Sequence, residues 1–362
     1  MVNQDNVAMR KDSFNRLTAL LEGKHVDRVP LFPLHLHGFS AKNIGYPFST
    51  MYTEPEMSFF AQLWTQQHYG FEPIPTYNYA SYGAWEFGGE VKFPSGQYEQ
   101  APSIVRYPIL SEEDVERIES NGLPDVSIRG CVPLNMEFSK LQEKHGLPIT
   151  FLCGSPFTRA VNVCGPERLL RWVIKKPDLA HRVVRLVTDH LLKVACYWVD
   201  IFGADRLLPY SGNPFEANQV ISPRNFEEFA FPYAKELNQK VLAMGIKRFQ
   251  FHICGEQNMN LPLLAKIPLG ENGIVSVGNE IDLDIAVKYF GESSIIVGNI
   301  QPSIIQMGAP QEVYEVARQC IEKGKRAPRG FMLASGCELP PLSPPYHVYL
   351  MSRAVDDFGS YE

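Results

Sequence analysis

Residues 273–298 read GIVSVGNEIDLDIAVKYFGESSIIVG and contain a complete strand-helix-strand repeat of the predicted fold. Two short apolar runs, Gly273–Val277 and Ser294–Gly298, predict strands, and Leu283–Phe290 between them has the apolar spacing of a helix. A helix between two strands implies that the strands pair in parallel through a right-handed crossover. The repeat therefore predicts an α/β fold.

The same alternation extends along the chain. Six further apolar runs predict strands at Val29–Leu34, Phe71–Thr76, Leu147–Cys153, Arg206–Tyr210, Lys247–His252 and Gly330–Ala334. Helices are predicted at Met9–Leu21, Pro177–Ile201, Ser222–Met244 and Pro310–Lys323. Eight strands favour one (β/α)8 TIM barrel domain over residues 1–362, although a doubly wound open sheet has much the same sequence rhythm.

Residues 77–127 interrupt the alternation and predict a β-hairpin inserted after the second strand. Turn residues at Gly88-Gly89 and Ser95-Gly96 flank the extended stretch Glu90–Phe93, and a second extended stretch follows at Ile104–Pro108. The insertion is rich in aromatic residues. They either pack it onto the barrel or form an aromatic wall above the active site, and they are Tyr77, Tyr79, Tyr82, Trp85 and Phe87.

Composition excludes several classes of partner. The formal net charge is −6 and no block of five like charges occurs, so binding to a nucleic-acid backbone is not expected. No apolar run approaches the roughly 20 residues that cross a bilayer, and the first residues lack the pattern of a secretion signal. Seven cysteines without a CxxC pair indicate thiols in a reducing compartment. A cytoplasmic protein that acts on small molecules or proteins is expected.

Three residues form a candidate zinc site. In RFQFHICGEQ at 248–257, His252 and Cys254 are two residues apart at a strand end, so their side chains point the same way. The eighth strand, GFMLASGC at 330–337, brings Cys337 to the same end of a barrel. Three nitrogen and sulfur ligands suit a catalytic zinc with its fourth position open. Taken alone, a His and a Cys near a turn are more often core or capping residues.

Four segments carry a family resemblance: GSPFTRAVNVCG at 154–165, VISPRNFEEFAFPYAKEL at 220–237, HICGE at 252–256 and LASGCELPPLSPP at 333–345. Together they resemble the uroporphyrinogen decarboxylase superfamily, and most closely its zinc-dependent branch of cobalamin methyltransferases. The resemblance extends from about Arg10 to Phe358. It implies a TIM barrel and zinc ligation by His252, Cys254 and Cys337.

The resemblance also implies methyl transfer between a small substrate and the cobalt of a corrinoid carried by a partner protein. In one subset of the branch the substrate is a thiol such as coenzyme M, and in another it is an aryl methyl ether. The thiol enzymes resemble a pattern with Asp-Pro before an Ile-Ser-Pro helix start, where this sequence has Asn213 in PYSGNPFEANQVISP. Because an amide is neither a base nor a charged ligand, and because the insertion is aromatic and two histidines follow the first strand, we expect demethylation of a methoxyarene, with methylation of a thiol as the alternative. Asn213 itself is a candidate residue of the active site.

The segment DRVPLFPLHLHGFS at 27–40 departs from the decarboxylase pattern. It has His35 and His37 where the decarboxylase has arginines that bind the carboxylates of a porphyrinogen, so porphyrinogen decarboxylation is a disfavoured alternative. Both histidines could orient or protonate a phenolate oxygen, although one could equally be structural. A non-catalytic barrel that binds a corrinoid protein is a further alternative.

Two other residues are candidates for the active site. Tyr210, at the end of the fourth strand, could place its hydroxyl in the pocket or be a buried tyrosine that bonds to backbone. Glu216 could act as an acid or base, although a solvated position beside a helix is the simpler interpretation. Glu256 and Glu338 are each close in sequence to a ligand and could contact the metal site or be solvated at the rim.

Overall fold

The central sheet of the protein has six parallel strands. The computed structural model describes residues 11–96 and 99–361. A short hairpin precedes the sheet in the chain and consists of β1 (Glu90–Lys92) and β2 (Ser103–Arg106). The parallel strands are β3 (Ile149–Leu152), β4 (Leu207–Gly212), β5 (Gln250–Ile253), β6 (Gly273–Val277), β7 (Ser294–Ile300) and β8 (Phe331–Ser335), and they are hydrogen-bonded in sequence order. The last six of the eight predicted strands are thus confirmed.

Helices follow most of the strands, and many begin with proline at their first turn, where the missing N–H costs nothing. They are α1 (Lys11–Leu21), α2 (His37–Ile44), α3 (Thr50–Thr53), α4 (Pro55–Tyr69), α5 (Glu112–Asn121), α6 (Val132–Lys144), α7 (Pro156–Cys164), α8 (Pro166–Lys175), α9 (Pro177–Phe202), α10 (Pro223–Asn225), α11 (Phe231–Ala243), α12 (Leu261–Leu264), α13 (Leu283–Phe290), α14 (Pro302–Met307), α15 (Pro310–Gly324) and α16 (Pro345–Phe358). A π-helical turn, Phe226–Ala230, divides the single helix predicted over Ser222–Met244. The predicted helix start at Met9 lies outside the described residues.

The first two predicted strands, Val29–Leu34 and Phe71–Thr76, are buried but are not regular strands, so the prediction of eight was wrong for these two. Leu31 forms an isolated parallel bridge with Leu333 of β8. Its carbonyl also accepts a hydrogen bond of 2.9 Å from Glu72 N. Each segment contains two prolines, which donate no backbone hydrogen bond and therefore interrupt the ladder.

Side-chain hydrogen bonds connect residues 71–76 to β3, where no backbone ladder joins them. Gln142 of α6 donates from Nε2 to Pro75 O and to Thr150 Oγ1 of β3, at 2.8 Å each. Its Oε1 accepts from Thr150 N at 3.1 Å. Residues 29–34 lie beside β8, and residues 71–76 lie between them and β3. The two segments thus fill the gap between the last and the first strand of the sheet and close the barrel.

The barrel interior is a packed apolar core rather than a channel. Alternate residues of the strands and of the two proline-containing segments point inward, as expected for this architecture. Leu17 and Leu20 of α1 pack against the same cluster. Its other members include Phe32, Leu34, Ile74, Leu208, Tyr210, Ile274, Ile295, Val297, Met332 and Ala334. The contribution of both segments shows why the barrel closes with only six regular strands.

The predicted hairpin is present after the second segment. β1 and β2 pair in antiparallel orientation, with Val91 opposite Ile104. Helix α5 follows it before the chain returns to the barrel through α6. Within the described ranges, the helices are too short or too polar for any of them to cross a membrane.

Candidate metal centre

Three potential metal ligands converge where β5 and β8 end. His252 lies in β5, Cys254 follows that strand by one residue, and Cys337 follows β8 by two. An imidazole nitrogen of His252 and the Sγ atoms of both cysteines lie within 4.8 Å of one another. Parallel strands bring their carboxyl ends to one rim of a barrel, so residues far apart in sequence meet there. The structure therefore brings together the three ligands that the sequence predicts.

A hydrogen bond on the neighbouring strand orients the His252 ring. Ser276 Oγ of β6 lies 3.0 Å from His252 Nδ1, whereas the buried Nε2 has no partner among the residues described. A buried polar atom without a partner is costly unless a ligand binds it, and metal-ligating imidazoles commonly hydrogen-bond through their other nitrogen. The donor set of one imidazole and two thiols fits zinc and leaves one tetrahedral position open.

The two thiols differ in acidity because they contact each other. The hydrogen bond from Cys254 lowers the pKa of Cys337, and the nearby His252 acts in the same direction. The same contact, together with burial, raises the pKa of Cys254. Cys337 is thus the thiol that ionises first. A metal ion requires both thiols as thiolates, so its binding would release protons.

A cavity of about 240 Å³ adjoins the three donors. Ligand pockets for drug-sized molecules enclose roughly 300–1,000 Å³, so this space suits a small substrate. The predicted residues His35, His37 and Tyr210 line it. Tyr79 of the insertion and Tyr52 of α3 also line it, while Tyr77, Tyr82 and Phe87 are buried. The aromatic residues of the insertion therefore mainly pack it onto the barrel, and of the five predicted there Tyr79 alone lines the cavity.

His35 and Tyr210 form a hydrogen-bonded pair beside the donors. His35 Nε2 lies 2.8 Å from Tyr210 Oη, and the two rings meet edge to face. Burial lowers the pKa of His35 well below its usual range and raises that of Tyr210. Both side chains are thus neutral near pH 7 and are joined by a hydrogen bond. His35 also has a φ of 49°, a strained value for a non-glycine residue of the kind that clusters at functional sites.

His37 presents an unpaired nitrogen to the cavity. It begins α2 instead of continuing the first strand, and its ring stacks on Tyr52 with centroids 5.3 Å apart. Burial lowers the pKa of His37 to about 4, so the ring is neutral. Its buried Nε2 has no hydrogen-bond partner among the described residues. A substrate oxygen could therefore bind there.

Asn213 does not line the cavity; it contacts the loop that follows β5 and contains Cys254. It is fully buried, and its Oδ1 accepts hydrogen bonds from Cys254 N at 3.2 Å and from Gln257 Nε2 at 3.0 Å. Its Nδ2 donates to Glu216 Oε2 at 3.0 Å. Asn213 thus holds the backbone that carries Cys254. A direct role in binding substrate stays a prediction.

Glu216 is buried, so the interpretation as a solvated carboxyl was wrong. Its side chain is 1% exposed and accepts hydrogen bonds from Ser155 Oγ and Asn213 Nδ2. Burial, opposed by these contacts, raises the pKa of Glu216 to about 7. Like Asn213, Glu216 does not line the cavity. An acid or base role stays a prediction.

Sequence reasoning missed three residues of the site: Ser276, Asn78 and Arg159. Ser276 is the one polar residue in the apolar run of β6, and its inward position follows from strand alternation. Asn78 and Arg159 both line the cavity. Arg159 could have been found as the charged residue in the otherwise uncharged stretch GSPFTRAVNVCG. Glu338, a predicted neighbour of the metal, lines the cavity, whereas Glu256 binds Asn258 instead.

Fold and site together define an α/β barrel in which three potential metal ligands meet at the carboxyl ends of the strands. The chain belongs to the uroporphyrinogen decarboxylase family, because the family model "Uroporphyrinogen decarboxylase (URO-D)" matches residues 12–358. The match confirms the family resemblance of the sequence and covers every residue of the candidate site.

Relatives in this family have two activities in their names. The methylcobamide:CoM methyltransferase MtbA of Methanosarcina acetivorans is 26% identical, over 75% of this chain and 76% of the relative. The methylcobamide:CoM methyltransferase MtaA of Methanosarcina barkeri is 25% identical, over 95% of this chain and 97% of the relative. A uroporphyrinogen decarboxylase of Myxococcus xanthus is 25% identical, over 70% of each.

A solved structure shares the fold. It is a methyltransferase from Methanosarcina mazei, with a TM-score of 0.79 and 23% sequence identity, and the match covers 96% of this chain and 98% of that one. The likeness over nearly the whole of both chains confirms the barrel architecture.

Proposed function

We propose that this protein is a zinc-dependent methyltransferase that moves a methyl group from an aryl methyl ether to the cobalt of a corrinoid protein. The observation that carries the proposal is the unpartnered, buried His252 Nε2, which meets the thiols of Cys254 and Cys337 beside a cavity for a small molecule. The names of the methylcobamide:CoM relatives support corrinoid-linked methyl transfer. The corrinoid would be carried by the partner protein.

When bound, zinc with two thiolate ligands and an imidazole supplies a mild Lewis acid beside the substrate. His252, Cys254 and Cys337 would hold it, and Ser276 would keep the imidazole in the required orientation. The cavity walls would position the substrate so that its methyl group faces the open end, where the cobalt of the partner approaches.

The neutral side chains around the cavity suit the departure of a phenolate. Loss of the methyl group leaves an aryl oxygen anion, to which Tyr210 Oη can donate a hydrogen bond while its own oxygen accepts one from His35 Nε2; the proton that completes the phenol comes from solvent. The unpaired Nε2 of His37 can hold the same oxygen or its proton. The rings of Tyr52 and Tyr79 offer the apolar faces on which an aromatic substrate packs.

Methylation of a thiol is the second candidate, and the names of the relatives favour it. Asn213 was expected to weigh against a thiol, but its side chain binds the Cys254 loop and does not line the cavity. The preference for an aryl ether therefore rests on two tyrosine rings that line the cavity and on the hydrogen-bonded pair His35 and Tyr210.

Two alternatives fit the cavity less well. A porphyrinogen has several carboxylates, and His35 and His37 line the cavity where the decarboxylase would place arginines. A barrel that only binds a corrinoid protein does not explain why the buried Nε2 atoms of His37 and His252 have no hydrogen-bond partner among the described residues.

Anaerobic incubation with cob(I)alamin tests the proposal. Zinc-loaded protein should form methylcobalamin with some member of a panel of methoxyarenes, and the absorbance of methylcobalamin follows the reaction. A reverse assay with methylcobalamin and thiols tests the second candidate. The Cys337→Ala variant should be inactive, while Cys196→Ala, which changes an exposed thiol, should retain activity. Zinc-loaded protein that transfers no methyl group in either direction, with cobalamin or a corrinoid protein, would remove both candidates.

A further inference from the structure

Arg159 is a buried cation that forms no ion pair with the residues described in the structure. It lies in α7, and only 4% of its surface is exposed. Its Nε donates to Gly154 O at 3.1 Å and its Nη1 to Ala80 O at 3.0 Å. No carboxylate oxygen of residues 11–96 or 99–361 lies within 4.0 Å of its guanidinium nitrogens. Arginine stays protonated in proteins, so its charge is buried without a carboxylate in direct contact, and the buried carboxyl groups of Glu86 and Glu216 act on it only over a longer distance.

Arg16, another buried arginine of this chain, is paired with two carboxylates. Arg16 is 8% exposed, and its guanidinium contacts Asp27 at 2.6 Å and Glu72 at 3.1 Å. Burying a charge without a partner is costly, and folded proteins usually pair such groups. Because Arg159 lines the cavity beside the metal donors, the missing partner can be a ligand.

Asn78 presents further unpaired groups to the same cavity. Its Nδ2 and Oδ1 are both buried, and neither has a hydrogen-bond partner among the described residues. Asn78 lies two residues before Ala80, whose carbonyl binds the Arg159 guanidinium. A fixed guanidinium and a free amide N–H together provide the donors that bind an oxyanion.

Among the described residues, no other side chain that lines the cavity forms an ion pair with Arg159. His35 and His37 are neutral. The carboxyl group of Glu338 lines the cavity but lies more than 4.0 Å from the guanidinium nitrogens. Two thiolates and an imidazole nearly cancel the charge of a zinc ion. The guanidinium of Arg159 therefore remains available in the cavity to an anionic group of the substrate.

We propose that Arg159, assisted by Asn78, binds a carboxylate or sulfonate group at the end of the substrate away from its methyl or thiol group. This inference rests on the proposed function and narrows it to anionic substrates, such as a methoxybenzoate or a sulfonated thiol. Arg159 would be a specificity-determining residue: it fixes the orientation of the substrate and takes no part in the transfer itself.

Calorimetric titration of the zinc-loaded protein measures this selectivity. One arm compares a methoxybenzoate with its methoxybenzamide, and the other compares mercaptoethanesulfonate with mercaptoethanol. In at least one of the two pairs, the anionic ligand should bind roughly 10- to 100-fold more tightly than its neutral counterpart. This ratio corresponds to the free energy of one charge-assisted hydrogen bond. The Arg159→Gln variant should reduce this ratio to about threefold or less. The arm that shows the effect identifies the substrate class.

Two further variants separate charge recognition from folding. Arg171→Gln removes the same charge from an exposed position in α8 and should leave the ratio unchanged. Asn78→Asp keeps the shape of the side chain but adds a negative charge, so it should weaken binding of the anionic ligand and spare the neutral one. This variant tests the inference even if Arg159→Gln does not fold.

Equal binding of both members in both arms, or a preference that Arg159→Gln retains, would overturn the inference. A methyl-transfer assay on the same ligands separates this result from failure of the proposed function. Transfer from neutral and anionic ethers at equal kcat/KM would refute the role of Arg159 while the proposed function stands. Charge-selective binding without any methyl transfer would support the role of Arg159 and count against the proposed function.

Discussion

Glu216 is a buried carboxyl group whose ionisation should make the folded protein less stable as the pH rises. It is 1% exposed, and its oxygens accept hydrogen bonds from Ser155 Oγ and Asn213 Nδ2. Burial outweighs these contacts and raises the pKa of Glu216 from 4.5 to about 7. Between these values the folded protein retains a proton that the unfolded chain has already lost.

The sign and size of the effect follow from linkage. With a raised pKa in the folded state, the contribution to stability is fully present below pH 4.5 and is lost as the pH rises through about 7. At about 1.36 kcal/mol for each pH unit, the loss is roughly 3 kcal/mol. Glu216→Gln imitates the protonated form, because an amide can accept from Asn213 and donate to Ser155 Oγ. The variant should therefore gain roughly 3 kcal/mol over the wild type between about pH 4.5 and about pH 8.

Urea unfolding of both proteins at several pH values, with zinc and ionic strength fixed, measures this difference. Glu236→Gln is a matched control. The hydrogen bond from Arg185 lowers the pKa of Glu236 to about 2, so its contribution changes only at lower pH. The difference between this control and the wild type should stay constant over the same range. If the Glu216→Gln difference also stays constant, or falls as the pH rises, burial does not penalise the ionised carboxyl and the reasoning is refuted.

Three further predictions concern the metal centre and the barrel wall. Cys337→Ala should lose most of its zinc in elemental analysis, whereas Cys196→Ala should retain about one ion per chain; unchanged zinc in the first variant would contradict the ligand assignment. Ser276→Ala removes the hydrogen bond that orients the imidazole ligand and should weaken zinc binding roughly 10- to 100-fold in chelator competition, with no change if that contact is unimportant. Gly324→Ala would place a methyl group against the ring of Phe331 and should reduce the free energy of unfolding by about 1–3 kcal/mol, which thermal or urea unfolding measures; equal stability would mean that the ring moves freely.

Most of the barrel could be predicted from the sequence because its strands are mainly apolar. β3 to β8 are buried on both faces and lie in runs dominated by apolar residues, and each predicted position agrees with the structure to within a few residues. The two segments at 29–34 and 71–76 have the same apolar character, but their prolines prevent regular pairing. Their burial could be predicted, and their irregular backbone could have been predicted from the prolines.

The candidate site was partly predictable for a similar reason. The positions of His252, Cys254 and Cys337 follow from strand ends, which alternation and barrel closure fix. The unpaired state of Arg159 does not follow from any local pattern, because it depends on which side chains of distant segments reach it. An arginine in a buried helix indicates an unusual environment, but only the structure shows that backbone carbonyls are its partners.

The metal donors and the proposed substrate contacts lie on different parts of the fold. His252, Cys254 and Cys337 are held by β5, β8 and the residues that directly follow them, whose positions the packed barrel fixes. Arg159 lies on α7 and Asn78 at the start of the insertion, in segments that lead away from the barrel. Changes in these segments can therefore alter the charge and shape of the substrate pocket without moving the metal ligands. One architecture can thus serve relatives as different as methylcobamide:CoM methyltransferases and uroporphyrinogen decarboxylases.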